Sequence, residues 1–112
     1  MAFNVTSETV DGIARATLAG ELDASVAGVF KTAIEQLAAQ HPKRLVLFMA
    51  ELEYMASAGL RTLVFAKQKM GPHVDIYVIG AHDAVRETIE MTGFHQSVFM
   101  LNEYDAAEIE NV

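Results

Sequence analysis

The sequence predicts an α/β fold. It reads as a single small domain over residues 1–112, with a mixed, mostly parallel β-sheet, an N-terminal hairpin and three to four α-helices. Two unbroken apolar runs, Leu45–Met49 and Ile76–Ile79, have the length and character of strands buried on both faces, as in a parallel sheet covered by helices. Around them, apolar residues recur at helical spacing instead. Strand-like and helix-like segments alternate along the chain, which implies parallel pairing through right-handed crossovers.

At the N-terminus, Phe3 and Val5 alternate with polar residues and Ile13–Leu18 follows an Asp11-Gly12 turn signal, so a hairpin adds an antiparallel element. After Gly20-Glu21-Leu22-Asp23, the residues Val26, Phe30, Ile34 and Leu37 gather on one helical face, with Asp23 fitting the N-cap and Pro42 closing the segment. The strand Leu45–Met49 follows. A second helix is expected from Ala58 to Met70, with Leu60, Leu63 and Val64 inward and Gly71-Pro72 ending it. Gly80 breaks the strand Ile76–Ile79, and Asp83 fits the cap of a third helix that turns Val85 and Ile89 inward and stops at Gly93. Val98–Leu101 reads as a short last strand and Tyr104–Ile109 as a short acidic helix. With so few helices, one sheet face can be better covered than the other, and the pattern leaves that open.

Composition narrows the function. The chain has 52% hydrophobic residues, no cysteine and a formal charge of −7. Disorder is disfavoured, and a disulfide or thiolate-metal scaffold is excluded. The longest apolar run, Leu45–Ala50, is far shorter than the ~20 residues of a membrane-spanning helix. The N-terminal residues lack the basic start and apolar stretch of a secretory signal, so a cytoplasmic location is expected. An acidic chain with scattered Lys and Arg is unsuited to nucleic acid, whose phosphates call for clustered cations.

In open α/β sheets, binding sites collect at the carboxyl ends of strands. Three turns are expected there: Gly20–Asp23, Tyr54–Gly59 and Gly80–Asp83. The middle one, Tyr54-Met55-Ala56-Ser57-Ala58-Gly59-Leu60, is rich in small residues, which let another molecule approach the backbone, and Ser57 is its only serine or threonine. Ser57 fits an N-cap worth ~1 kcal/mol. It also fits a phosphorylation acceptor, because a helix N-terminus offers unpaired N–H groups and a favourable dipole to a phosphate. The two readings are compatible. A hydrolase nucleophile would need a Gly-x-Ser-x-Gly elbow and a histidine base, yet position 55 is Met, and of the four histidines only His82 falls on the same sheet edge. The histidines lack the short paired spacing of a metal site, and no cofactor is implied. Glu21 and Asp23 read as capping and partner-contact residues ahead of an acid–base pair. The six methionines read as core fillers, with Met55 beside the Ser57 turn as an exception.

Gly20-Glu21-Leu22-Asp23 after the second strand, Ser57-Ala58-Gly59-Leu60 opening a helix and Thr92-Gly93-Phe94 before the last strand resemble, in order and spacing, the STAS domain of bacterial anti-sigma factor antagonists. The resemblance implies a regulatory binding module and not an enzyme: one that binds a serine-kinase anti-sigma factor and so frees a sigma factor. In that family the serine of Asp-Ser-Ser-Gly-Leu is phosphorylated by the partner kinase and dephosphorylated by a phosphatase, which maps the acceptor onto Ser57. Here Ala56 replaces the motif's Asp, Ala58 follows the acceptor, and Phe48-Met49-Ala50 stands where an Asp-Leu-Ser-like stretch is usual. The alternative is a constitutive STAS scaffold, or a subunit of a signalling or lipid-transport complex. On the favoured reading the partner surface comprises Glu21, Asp23, Met55, Ala56, Ser57, Ala58, Gly59 and Arg61, reaching toward Lys67, with a homodimer left open.

Overall fold

A computed structural model describes residues 2–111. Asp11 and Gly12 both take positive φ, 54° and 80°, giving the two-residue type I′ turn whose twist matches its flanking strands. It joins β1 (Asn4–Val10) to β2 (Ile13–Leu22) as the expected antiparallel hairpin. The chain then alternates through α1 (Ala27–Ala38), β3 (Arg44–Met55), α2 (Ser57–Met70), β4 (Asp75–Ile79), α3 (Asp83–Met91), β5 (Phe99–Leu101) and α4 (Ala106–Ile109), with a 3-10 turn at Phe94–Gln96. The five strands lie side by side in sequence order, and every pair after the hairpin is parallel.

That order decides where the helices go. Successive right-handed crossovers, each stepping one strand in the same direction, deposit their helices on one side of the sheet. The larger core lies beneath α1, α2 and α3, where Phe30, Ile34, Leu63 and Ile89 pack on Leu18, Leu45, Leu47 and Ile76. Each fully buried side chain of this size contributes roughly 1.5–3 kcal/mol.

Among the described residues, the opposite face is covered by the C-terminal segment. Ile109 of α4 is buried against Ile13, Val46, Tyr77 and Ile79. Tyr104 stacks on Phe48 with ring centroids 5.8 Å apart. Its hydroxyl accepts from Arg15 Nη2 at 3.0 Å and donates to Glu110 Oε2 at 2.6 Å. The segment is thus a strap over an apolar sheet face, latched by a polar triad.

Several local expectations are corrected. Val26, not Asp23, holds the N-cap position of α1, without a side-chain bond. Asp23 folds the preceding turn instead, its Oδ1 accepting from the Ser25 amide at 3.0 Å and hydroxyl at 2.6 Å. Asp83 is the first residue of α3 and not its cap, a position taken by His82. Val64 is exposed, because the buried stripe of α2 runs through Gly59, Leu60, Leu63 and Ala66 and includes Thr62, whose hydroxyl donates to Ala58 O at 3.1 Å. Most consequentially, β3 does not stop at Met49 but continues to Met55, paired with β2 as far as Leu22 opposite Met55. Two register shifts against β2 put extra residues into β3, so its later inward side chains, Met49, Leu52 and Met55, fall three apart. Bulges of this kind break the alternation by which a strand is recognised.

Candidate functional site

β4 pairs with β3 only from Arg44 to Phe48, so the last part of β3 projects with β2 beyond the rest of the sheet. At its tip the chain passes from strand to helix through one residue, Ala56, whose amide donates to Leu22 O at 2.9 Å and prolongs the ladder by a step. The expected turn at Tyr54–Gly59 is therefore mostly strand end and helix start.

Ala56 occupies the N-cap of α2 with φ −77° and ψ 168°, and Ser57 is the first helical residue. The capping role read for Ser57 is thus corrected. Alanine offers no oxygen to the first turn, and that turn holds no acidic residue. The Ser57 side chain is exposed, and its hydroxyl makes no hydrogen bond among the described residues. This helix start combines uncapped N–H groups with a free hydroxyl one position on, so an anion attached there would meet both the donors and the dipole.

Gly59 explains how the helix start is held so close to the strand tips. A Cβ on Gly59 would lie 2.8 Å from Leu22 Cγ and 3.1 Å from Met55 Cγ. Met55 is itself buried. These two expected partner-surface residues therefore form the seat of the site behind its surface. Arg61 is exposed one turn beyond Ser57, on the same helix face, and is the single Lys or Arg between Leu45 and Ala66. Lys67 sits toward the far end of α2, its Nζ donating to Val74 O at 3.4 Å.

Gly20–Leu22, expected in a turn, instead end β2 beside this tip, with Glu21 opposite Tyr54 in the ladder and Asp23 just beyond the strand. The hydrogen bond from the Ser25 hydroxyl, helped by backbone N–H groups, holds the Asp23 carboxyl below its ordinary value. Glu51, Glu53 and Asp83 are also exposed at this end of the molecule, giving the site an acidic rim. From the third turn, His82 Nε2 lies 3.1 Å from Ala50 O and Nδ1 lies 3.2 Å from Asp83 Oδ2. Both partners are acceptors, so the doubly protonated ring suits them best. The bond to Ala50 O and the bond to Asp83 accordingly raise the His82 pKa.

Between the start of α2 and the end of α3 lies an open cleft of about 330 Å³, lined by Tyr54, Met55, Ser57, Leu60, Thr88 and Met91. Tyr54 is 46% exposed and Met91 78%, so apolar surface stands next to the serine. Met91 and Thr88 escaped the sequence reading. Met91 departs from the core role expected of methionine, and its position off the Val85–Ile89 stripe is the only signal in the sequence.

The three segments expected as turns thus lie together, although the first is mostly the end of β2 and the second mostly the end of β3 and the start of α2. His82 binds neighbours other than Ser57, and Met55 stands where a hydrolase elbow needs glycine. Among the described residues no cluster of His, Cys, Asp or Glu suits a metal ion, and no helix is long and apolar enough to cross a membrane.

The sheet order, the helices on one face and the small-residue turn opening α2 define a STAS-type binding module, and the STAS domain family model matches residues 4–107. The chain belongs to the STAS domain family, whose members related to it are regulatory binding proteins rather than enzymes. It is similar to the anti-sigma-F factor antagonist RsfB of Mycobacterium tuberculosis, with 27% identity over 95 residues, or 85% of this chain and 78% of RsfB. It is also similar to the crystal structure of an anti-sigma factor antagonist from Mycobacterium paratuberculosis, at TM-score 0.86 and 26% identity over 96% of this chain and 92% of that one. Unphosphorylated SpoIIAA, an anti-sigma factor antagonist, shares the fold at TM-score 0.71 and 15% identity, over 97% and 96% of the two chains.

Proposed function

We propose that this STAS domain is an anti-sigma factor antagonist that binds a serine-kinase anti-sigma factor and is switched by phosphorylation of Ser57, with a phosphatase resetting it. The observation that carries the reading is the exposed, unengaged Ser57 hydroxyl on an uncapped helix start, set between an acidic rim and an apolar cleft. The proposed contact surface comprises Glu21, Asp23, Tyr54, Ala56, Ser57, Ala58, Arg61 and Met91, seated on Met55 and Gly59. A cytoplasmic location goes with this reading. SpoIIAA, which shares the fold, has also been described in a phosphorylated form.

Energetics allow such a switch without unfolding. A phosphoserine adds about −1.5 to −2 charges at neutral pH. Within the chain, the helix dipole offsets this by about 0.3–1 kcal/mol, and up to ~2 where partly buried. Against an apolar or acidic partner surface the same charge costs several kcal/mol, and each ~1.4 kcal/mol weakens binding tenfold. The complex should lose far more than the fold. Ala56, in place of the family's Asp, favours a second reading in which the same surface binds constitutively and Ser57 is never modified.

Mass spectrometry of the wild-type chain after treatment with its cognate kinase distinguishes the two: phosphate on Ser57 supports the switch, and phosphate elsewhere or none supports the constitutive binder. Ser57→Asp should keep the thermal midpoint within about 4 °C while weakening partner binding at least about tenfold. Ser57→Ala should bind and resist modification.

A further inference from the structure

The long free edge of the sheet, β1, takes no part in the Ser57 site. At the other edge β5 has only three residues, the kind of short strand that resists strand addition. By contrast β1 has seven, pairs with β2 in unbroken register, and carries no proline and one charge, Glu8. Val10 and Ile13 close the two-residue turn as a hydrogen-bonded pair, and pairs alternate from there along the ladder. The amides and carbonyls of Val5, Ser7 and Thr9 therefore point outward along the free edge. These positions are symmetric about Ser7.

From that symmetry we propose that β1 is a self-association edge: two copies of this chain pair β1 to β1, antiparallel, about a twofold axis at Ser7, joining their sheets into one. Ser7 exchanges both backbone bonds with its mate, and Val5 exchanges both with Thr9 of the second copy. Charge selects a second copy as the occupant. The chain carries −7, so most twofold contacts would set carboxylates against carboxylates. In this register Glu8 falls opposite Thr6 of the second copy, and within its own chain it already lies opposite Arg15. Beside the strand, Val29, Thr32 and Gln36 of α1 border an uncharged cleft of about 360 Å³ with Val5 and Ser7, and Val29 is 54% exposed. A twofold mate brings the same neutral strip to the same axis. Antiparallel pairing turns the second sheet end for end, so the two Ser57 faces point in opposite directions and both stay open to a partner.

Sedimentation equilibrium of the full chain tests this, with circular dichroism to verify folding of each variant. The wild type should dimerise reversibly. Ser7→Lys, at an exposed position, sets two ammonium groups against each other on the axis and should weaken the dimer at least about threefold. Thr6→Lys creates two symmetry-related pairs with Glu8 and should tighten it about twofold or more. A wild-type chain that stays monomeric at ~1 mM would overturn the proposal. So would a dimer indifferent to both substitutions, which would use another surface.

Discussion

Replacing Ala56 with aspartate should stabilise the fold. The backbone at Ala56 already has the extended conformation of an N-cap, its carbonyl accepts from the Leu60 amide at 3.1 Å, and its side chain supplies no cap. Only the side-chain oxygen is missing, so a gain of ~1 kcal/mol is expected, within the 0.5–2 kcal/mol measured for caps against alanine. For a domain of this size that is about 4 °C in thermal midpoint. In urea, at a slope of about 1–3 kcal/mol per molar, it is a midpoint rise of about 0.3–1 M. The carboxylate's share has a pH signature. A capping Asp has its pKa depressed in the folded chain, so its contribution is present above the unfolded value of ~3.9 and is lost as pH falls through the folded one. Ala56→Ser should give a similar gain without that acid limb. Phosphate on Ser57 competes for the same N–H groups, so kinase treatment should stabilise the wild type more than Ala56→Asp. Urea titrations of both variants at pH 7 and pH 3 check this. If neither raises the midpoint at pH 7, the first turn of α2 is not short of a cap and the argument for an anion-ready helix start falls with it.

Gly59→Ala should destabilise by ~1–3 kcal/mol in the same urea assay although alanine favours a helix interior by about 1 kcal/mol, because its Cβ would press on Leu22 and Met55. Tyr54→Ala and Met91→Ala remove exposed side chains and should shift stability by no more than about 0.5 kcal/mol while weakening partner binding, as read by titration calorimetry. His82 has a raised pKa when folded, so its contribution is complete below its ordinary value of 6.5 and fades as pH rises through the folded value. Thermal midpoints between pH 6 and pH 8 should fall with pH in the wild type and flatten in His82→Gln.

The parts of this molecule legible in the sequence are those fixed by local chemistry. Asp11-Gly12 announced its turn because positive φ at both positions leaves few other choices, and Val46 and Val78 sit in runs too apolar for anything but a buried strand. The end of β3 was illegible because its bulges replace alternation with a three-residue spacing that resembles a loop or a helix. Asp23 and Asp83 were misplaced for a related reason. A carboxylate ahead of a helix can bond the helix or its own turn, and Ser25 and His82 decided for the turn. Ser57 stood out as the lone small hydroxyl in its segment. The apolar half of its surroundings, Tyr54 with Met91, was hidden because it forms only when α3 folds back toward the start of α2.

The strap across the second sheet face also sets an order of assembly during synthesis. Ile13, Val46, Tyr77 and Ile79 leave the ribosome well before Ile109, the side chain that shields them. Until α4 emerges, a nascent chain with all five strands made still displays an apolar sheet surface, the sort of exposure that invites aggregation or chaperone capture. A stop codon after Asn102 would spare every strand and the whole Ser57 neighbourhood, yet leave that surface permanently bare. Such a truncation should fail through insolubility and rapid turnover in the cell, while the residues of the proposed contact surface remain intact in sequence.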